Sequence, residues 1–119
     1  MDAAYCIHKH FGPGLFEMVY EVSLAHELRK RGLAVQRQLA IPVVYDCVTF
    51  DEGFRADVVV NDLVVLELKS VETVHPVHKK QLLTYLRLMK KRLGLLINFN
   101  EALIKDGLFR VVNGLPEDG

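Results

Sequence analysis

The sequence predicts a single α/β domain built on a mixed β-sheet. Three observations carry this reading. Apolar residues recur at helical spacing over 15–31 and 76–91, short β-rich runs lie between and after these stretches, and the second helix joins two such runs. A helix linking two strands of one sheet favours a parallel pair there, beside an antiparallel meander. The 119 residues are 50% hydrophobic, which suffices for one core.

The elements follow in order. Residues 2–10 form a short helix that Gly12-Pro13-Gly14 stops. From 15 to 31, Leu15, Met18, Val19, Val22, Ala25 and Leu28 keep helical spacing, and Gly32 ends the helix. Residues 35–45, VQRQLAIPVVY, read as a strand. Pro42 has no N–H for a ladder, so this strand lies at an edge or is bulged there. Runs 54–60 and 63–70 flank Asn61-Asp62, a hairpin signal. Pro76 suits the first turn of a helix that directs Val77, Leu82, Leu83, Leu86 and Met89 inward. Residues 94–98 (GLLIN) and 108–112 (LFRVV) are two further strands. The expected order is α-β-β-β-α-β-β after the short N-terminal helix, with one domain over 1–115 and a loose C-terminal tail over 116–119.

Fifteen basic and fifteen acidic side chains cancel to a formal net charge of zero. This argues against gripping nucleic acid by bulk charge alone, and leaves room for a local basic face. Cys6 and Cys47 show neither metal-ligand spacing nor a disulfide framework. They read as reduced thiols of a cytoplasmic protein, although the sequence alone leaves a bridge between them open. No apolar stretch approaches a membrane span, and MDAAYCIHKH lacks a signal-peptide pattern, so no membrane partner is expected.

The stretch LVVLELKS (63–70) begins like a buried strand and then carries Glu67 and Lys69. Side chains two apart share a face, so these two point together with Val65, while Leu66 and Leu68 point the other way. A buried carboxylate without a partner is costly. Lys69 can be that partner, or a metal ion can. Asp57, in GFRADVVV, is the second carboxylate. A plain two-residue Asn61-Asp62 turn would set Asp57 and Glu67 on opposite faces of the sheet. A three-residue loop or one bulge brings them to the same face, and such a loop is therefore expected. Two hard oxygen ligands completed by waters suit Mg²⁺ or Mn²⁺. Lys69 beside them can orient a water or stabilise charge on a phosphate oxygen.

The arrangement D-x9-E-x-K on adjoining strands, followed by a helix with Gln81, resembles the PD-(D/E)XK nuclease superfamily. Gly14-x-x-Glu17-x-x-Tyr20 is similar to the signature of the GxxExxY family within it. Further blocks match that family in order: Phe54-Arg55-Ala56-Asp57, Glu67-Leu68-Lys69-Ser70, Gln81-Leu82-Leu83-Thr84-Tyr85 and Leu95-Leu96-Ile97-Asn98-Phe99. Ala56 stands where the superfamily's name-giving pattern has proline. The resemblance implies a restriction-endonuclease-like core and metal-dependent hydrolysis of a phosphodiester in DNA or RNA. Carried over, Asp57 and Glu67 ligate Mg²⁺ or Mn²⁺, Lys69 positions the attacking water, Glu17 completes the acidic cluster, and Gln81 faces the site from the second long helix.

Several of these residues also have plain structural explanations. An acid in a first helical turn, such as Glu17, is favoured by the macrodipole. Tyr20 is as readily a core residue with its hydroxyl at the rim. His75 and His78 lack companions at ligand spacing, and read as a helix cap and an ordinary hydrogen-bonding side chain. Arg55 pairs with a carboxylate or reaches a phosphate. Lys79, Lys80, Arg87, Lys90, Lys91 and Arg92 lie in a stretch without an acid, with Lys80, Arg87 and Lys91 on one helical face. Arg29, Lys30, Arg31 and Arg37 form a second basic cluster. Contacts to a nucleic-acid backbone are expected from Arg55, Lys79, Lys80, Arg87 and Lys91, and a nuclease this small that cuts both strands needs a homodimer. Two rival readings remain: a binding module that keeps the fold without cutting, and an acidic cluster neutralised internally by Lys69.

Overall fold

The computed structural model describes residues 2–50 and 53–114; the tail expected at 116–119 lies outside them. The chain begins with two helices, α1 (Asp2–Phe11) and α2 (Glu17–Lys30). The strands β1 (Val35–Ala40), β2 (Val43–Tyr45), β3 (Val48–Phe50), β4 (Arg55–Val60) and β5 (Val64–Lys69) follow. Then come α3 (Pro76–Met89), β6 (Leu93–Asn98), a 3-10 turn (Ile104–Gly107) and β7 (Leu108–Val112). Five strands form one sheet in the order β1-β4-β5-β6-β7. The expected mixture is present: β5 and β6, joined by α3, run parallel, and the other neighbours are antiparallel.

Two apolar layers sandwich the sheet. On one face, Ala4 and Ile7 of α1 and Tyr20, Leu24 and Leu28 of α2 pack on Val58, Leu66, Leu68 and Ile97. On the other, Leu82, Tyr85 and Leu86 of α3 pack on Val59, Val65 and Leu96. The period-two alternation of β5 thus puts Val65, Glu67 and Lys69 on the α3 face. Among the described residues, no helix is long and apolar enough to cross a membrane. Cys6 and Cys47 are free and exposed.

Four local expectations need correction. The strand expected over 35–45 is divided: β1 ends at Ala40, at the sheet edge, and Val43–Tyr45 leaves the sheet after Pro42 to form a separate two-stranded ribbon with β3. Proline supplies no ladder N–H, and it restricts the residue before it. On α2 the buried residues are Tyr20, Glu21, Leu24, Ala25 and Leu28, while Met18, Val19 and Val22 face solvent. On α3, Val77 is exposed and Tyr85 takes an inward position. The 3-10 turn before β7 had no sequence signal beyond Gly107, where a Cβ would collide with the Asn98 carbonyl.

The β4–β5 hairpin has the odd loop that the carboxylates require. Val60 pairs with Val64 around Asn61-Asp62-Leu63, and Val58 pairs with Leu66. The ladder ends at that pair, and beyond it Ala56 joins Val59 and Val65 in the α3-side layer while Leu68 joins the other. Asn61 and Asp62 have φ of 52° and 55°. Asn61 also receives the Ala34 N–H on its side-chain oxygen (2.9 Å), tying the loop to the start of β1.

Candidate active site

Regular pairing stops where the carboxylates begin. The β1–β4 ladder pairs Arg37 with Val58 and Leu39 with Ala56 but skips Gln38 and Asp57. The β4–β5 ladder ends at Val58 and Leu66. The two acids take over the backbone bonding. The Asp57 N–H donates to Glu67 Oε1 (3.1 Å), and the Leu68 N–H donates to Asp57 Oδ2 (2.9 Å). One oxygen of each acid is thereby fixed; Glu67 Oε2 is left for other partners, and Asp57 Oδ1 has only the long contact from the Gln38 amide at 3.5 Å.

This pair lies at the carboxyl end of β5, where Glu67 is 6% exposed. Burial first, and the Asp57 charge second, push the Glu67 carboxyl up to about 8. Asp57 is also raised, chiefly by burial; the Leu68 N–H opposes this, and Glu21 and Glu17 add to it. Two close carboxyls in a dry site resist ionising together unless a cation joins them. Among the described residues, Lys69 forms no ion pair within 4 Å of either acid.

The α2 side supplies an acid that the sequence reading missed. Glu21 is 4% exposed. Both Nε and Nη2 of Arg37 contact its Oε2 (3.0 and 2.8 Å), and the Gln38 amide donates to its Oε1 (2.7 Å). The same amide stands 3.5 Å from Asp57 Oδ1, so Gln38 bridges the helix acid and the strand acid. Gln38 has φ of 52°, an uncommon backbone state of a kind concentrated at functional sites. Glu17 is exposed in the first turn of α2, and its charge still contributes to the upward shifts of Asp57 and Glu67. One signal pointed to Glu21: with Leu24, Ala25 and Leu28 it keeps i, i+3, i+4, i+7 spacing, an acid set within the inward stripe.

On the α3 side, Lys69 joins Val77, His78, Lys80, Gln81 and Thr84 around a cleft of about 580 Å³. Gln81 is exposed there, on the side of α3 that faces Lys69. Partial burial and the nearby Lys69 lower the His78 pKa. The His78 ring nitrogen Nδ1 accepts the His75 N–H (3.1 Å), so capping falls to His78 and not to the His75 ring. Tyr85 packs edge-on to Phe54 with ring centroids 6.3 Å apart. Burial, with Glu67 and Asp57 adding to it, raises its pKa.

The remaining candidates disperse. The Arg55 guanidinium donates to the Gln38 carbonyl (3.3 Å) and not to a carboxylate. Lys79 lies 4.1 Å from the centroid of the Phe109 ring, facing β7. Lys91 pairs with Asp62 (2.9 Å) at the loop that begins β5, roughly 20 Å along the strand from Lys69. Arg87 is exposed on α3, and since that helix ends at Met89, Lys91 does not share a helical face with Lys80 and Arg87 as expected. In the second basic cluster, Arg29 donates to the Val35 carbonyl, Arg31 pairs with Glu27, and Arg37 holds Glu21.

Two buried side chains hold the frame. Tyr20 stacks on Phe99 (centroids 4.5 Å apart). Its hydroxyl donates to the Gly12 carbonyl (2.6 Å) and accepts the Leu15 N–H (3.1 Å). Asn98, fully buried, exchanges two hydrogen bonds with the Val71 backbone and so fixes the segment leaving β5.

Asp57 and Glu67 fit a small hard cation by their chemistry: two carboxylates with one oxygen each to spare, in a site that disfavours their shared charge. Among the described residues, no three His, Cys, Asp or Glu side chains form an all-protein metal cage. Mg²⁺ does not need one, since it takes one or two carboxylates and keeps waters. A family model described as the PD-(D/E)XK nuclease superfamily matches residues 1–111, a span that includes every residue discussed in this section. No curated protein and no solved structure matches the chain.

Proposed function

The chain belongs to the PD-(D/E)XK nuclease superfamily, and from that premise we propose that it hydrolyses phosphodiester bonds of nucleic acid with Mg²⁺ or Mn²⁺ held by Asp57 and Glu67. The carrying observation is the cross-bonded pair itself. Each acid accepts a backbone N–H from the other's strand, the Glu67 carboxyl is pushed to about 8, and Lys69 forms no ion pair with either acid among the described residues. That last point speaks against an acidic cluster neutralised internally.

A bound divalent cation would supply charge stabilisation at a phosphate oxygen and a more acidic water. The residues of the chain do the rest. The backbone N–H groups of Asp57 and Leu68 aim the free carboxylate oxygens. Gln38 and Arg37 hold Glu21 behind them, which supports Glu21 as the helix acid of the cluster, with Glu17 in a peripheral electrostatic role. Lys69 orients the attacking water or meets charge on the phosphate. Lys80 and Gln81 line the cleft that receives the scissile phosphate. We read the chain as a GxxExxY member, and the Tyr20 clamp on the turn that contains Gly14 supports a structural purpose for that spacing.

The test is cleavage of single- and double-stranded DNA and RNA with Mg²⁺, with Mn²⁺ and in EDTA. Activity is expected only with metal, and Glu67→Ala should abolish it while leaving the far-ultraviolet circular dichroism unchanged. Full activity in that variant, or in EDTA, overturns the reading.

A further inference from the structure

A cavity of about 460 Å³ opens beside the α1–α2 turn, walled by Tyr5, His8, Lys9, Pro13, Leu103 and Lys105. Its walls are tied together. His8 Nε2 lies 2.8 Å from the Glu101 carbonyl and its ring is buried, so α1 is fastened to the segment that follows β6. The space is therefore preformed, and its size suits one small ligand and not a duplex. Two lysines line it, Lys9 and Lys105, and among the described residues no Asp or Glu does. Tyr5 and Leu103 present exposed apolar surface, 61% and 55% accessible. Cations beside an aromatic ring suit an anion attached to a flat apolar body, which is the chemistry of a nucleotide.

The cavity neighbours the carboxylate site across one turn. Pro13 lies in its wall, and two residues on, the Leu15 carbonyl accepts the Ser70 hydroxyl (2.6 Å). Ser70 directly follows Lys69. A chain of zero net charge gains little from bulk attraction to a phosphate backbone, and base stacking is a source of affinity that does not need it. We propose that this cavity is a subsite for one unpaired nucleotide of a single strand, its base against Tyr5 and its phosphate between Lys9 and Lys105. The strand continues to the cleavable bond at Asp57 and Glu67; this continuity rests on the nuclease reading, whereas nucleotide binding in the cavity does not.

The chain contains no tryptophan, so Tyr5→Trp places a single tryptophan in the cavity wall, excited selectively beyond the tyrosine absorption. The variant is titrated in EDTA, where no metal-dependent cleavage occurs, with a short thymidine oligomer, with its duplex form and with free thymidine monophosphate. Saturable quenching by the oligomer is expected, at least about tenfold tighter than by duplex or mononucleotide. Lys9→Glu with Lys105→Glu in the same background should abolish it, and Lys9→Gln with Lys105→Gln serves if charge reversal lowers the melting temperature. Absence of quenching, quenching indifferent to the lysine changes, or a duplex that binds as tightly as the oligomer overturns the proposal, and equal affinity for the mononucleotide overturns the continuous strand. An acidic aromatic peptide that quenches in place of the oligomer overturns it too. Cleavage separates the two readings: cutting without quenching removes the subsite alone, and quenching without cutting removes the nuclease reading and leaves the subsite.

Discussion

A carboxyl raised to about 8 holds its proton at neutral pH until something displaces it, and that governs how Glu67 behaves. Its folded pKa lies above the ordinary 4.5, so the folded state binds this proton more tightly than the unfolded chain. The stabilisation is complete below about pH 4.5 and is lost as pH rises through about 8. Glu67→Gln keeps the shape and removes the titration. In EDTA, the melting temperature of the parent protein should therefore fall relative to Glu67→Gln between pH 5 and pH 8.5, by about 5 °C or more. Mn²⁺ should restore it at the upper end only, because binding the cation requires the proton to leave. A melting difference constant across that range would show that Glu67 carries its charge there at no cost. The acid–amine couple at 67 and 69 was legible from its setting in an apolar strand. Glu21 was legible in principle from its stripe. Gln38 was not: nothing in VQRQLA marks the residue whose backbone turns to a positive φ and bridges two acids.

At the scale of elements, the α1–α2 turn couples the two ends of the site. Tyr20 holds both Gly12 and Leu15, and Leu15 in turn receives Ser70 at the end of β5. Tyr20→Phe keeps the ring stacked on Phe99 and removes the partner of the half-buried Gly12 carbonyl and of the Leu15 N–H. A loss of about 1–3 kcal/mol is expected in denaturant unfolding; an unchanged midpoint would mean that the turn is held by other contacts. The hairpin loop was readable because the chemistry of the site demanded one register parity, and three residues between Val60 and Val64 provide it. The inward face of α2 was readable only in part: Ala25 and Leu28 are buried as expected, whereas Met18, Val19 and Val22 are not. The helix carries apolar residues on two sides, and the fold buries Tyr20 and Glu21 while leaving Met18 and Val22 outside. Burial follows from what α1 and the sheet offer as partners, and a helical wheel contains neither.

Across the whole molecule, charge decides how substrate is held. The two strings of basic residues that suggested a broad phosphate surface are occupied in part: Lys91 by Asp62, Arg31 by Glu27, Arg37 by Glu21, Lys79 by the Phe109 ring. Lys69 and Lys80 remain at the cleft, with Arg55 exposed near it. About three phosphates can be neutralised there, so log K for nucleic acid should fall against log salt with a slope of about −2 to −3. Fluorescence anisotropy on Glu67→Gln in EDTA measures it, and a slope steeper than about −6 would require an extended basic interface that this arrangement of side chains does not provide.

The linear chain by itself determined the α/β class, the parallel pair around the second long helix, and the candidate acids and lysine at 57, 67 and 69. Each of these follows from periodicity, turn chemistry or spacing, which are properties of neighbours along the backbone. Only the tertiary structure decided that Glu21 and not Glu17 is bonded into the cluster, that Pro42 ends a strand and begins a separate ribbon, and that Arg31, Arg37, Lys79 and Lys91 are spent on internal partners. Those outcomes depend on which groups from distant segments come within hydrogen-bonding reach, and burial and charge pairing are set by such meetings.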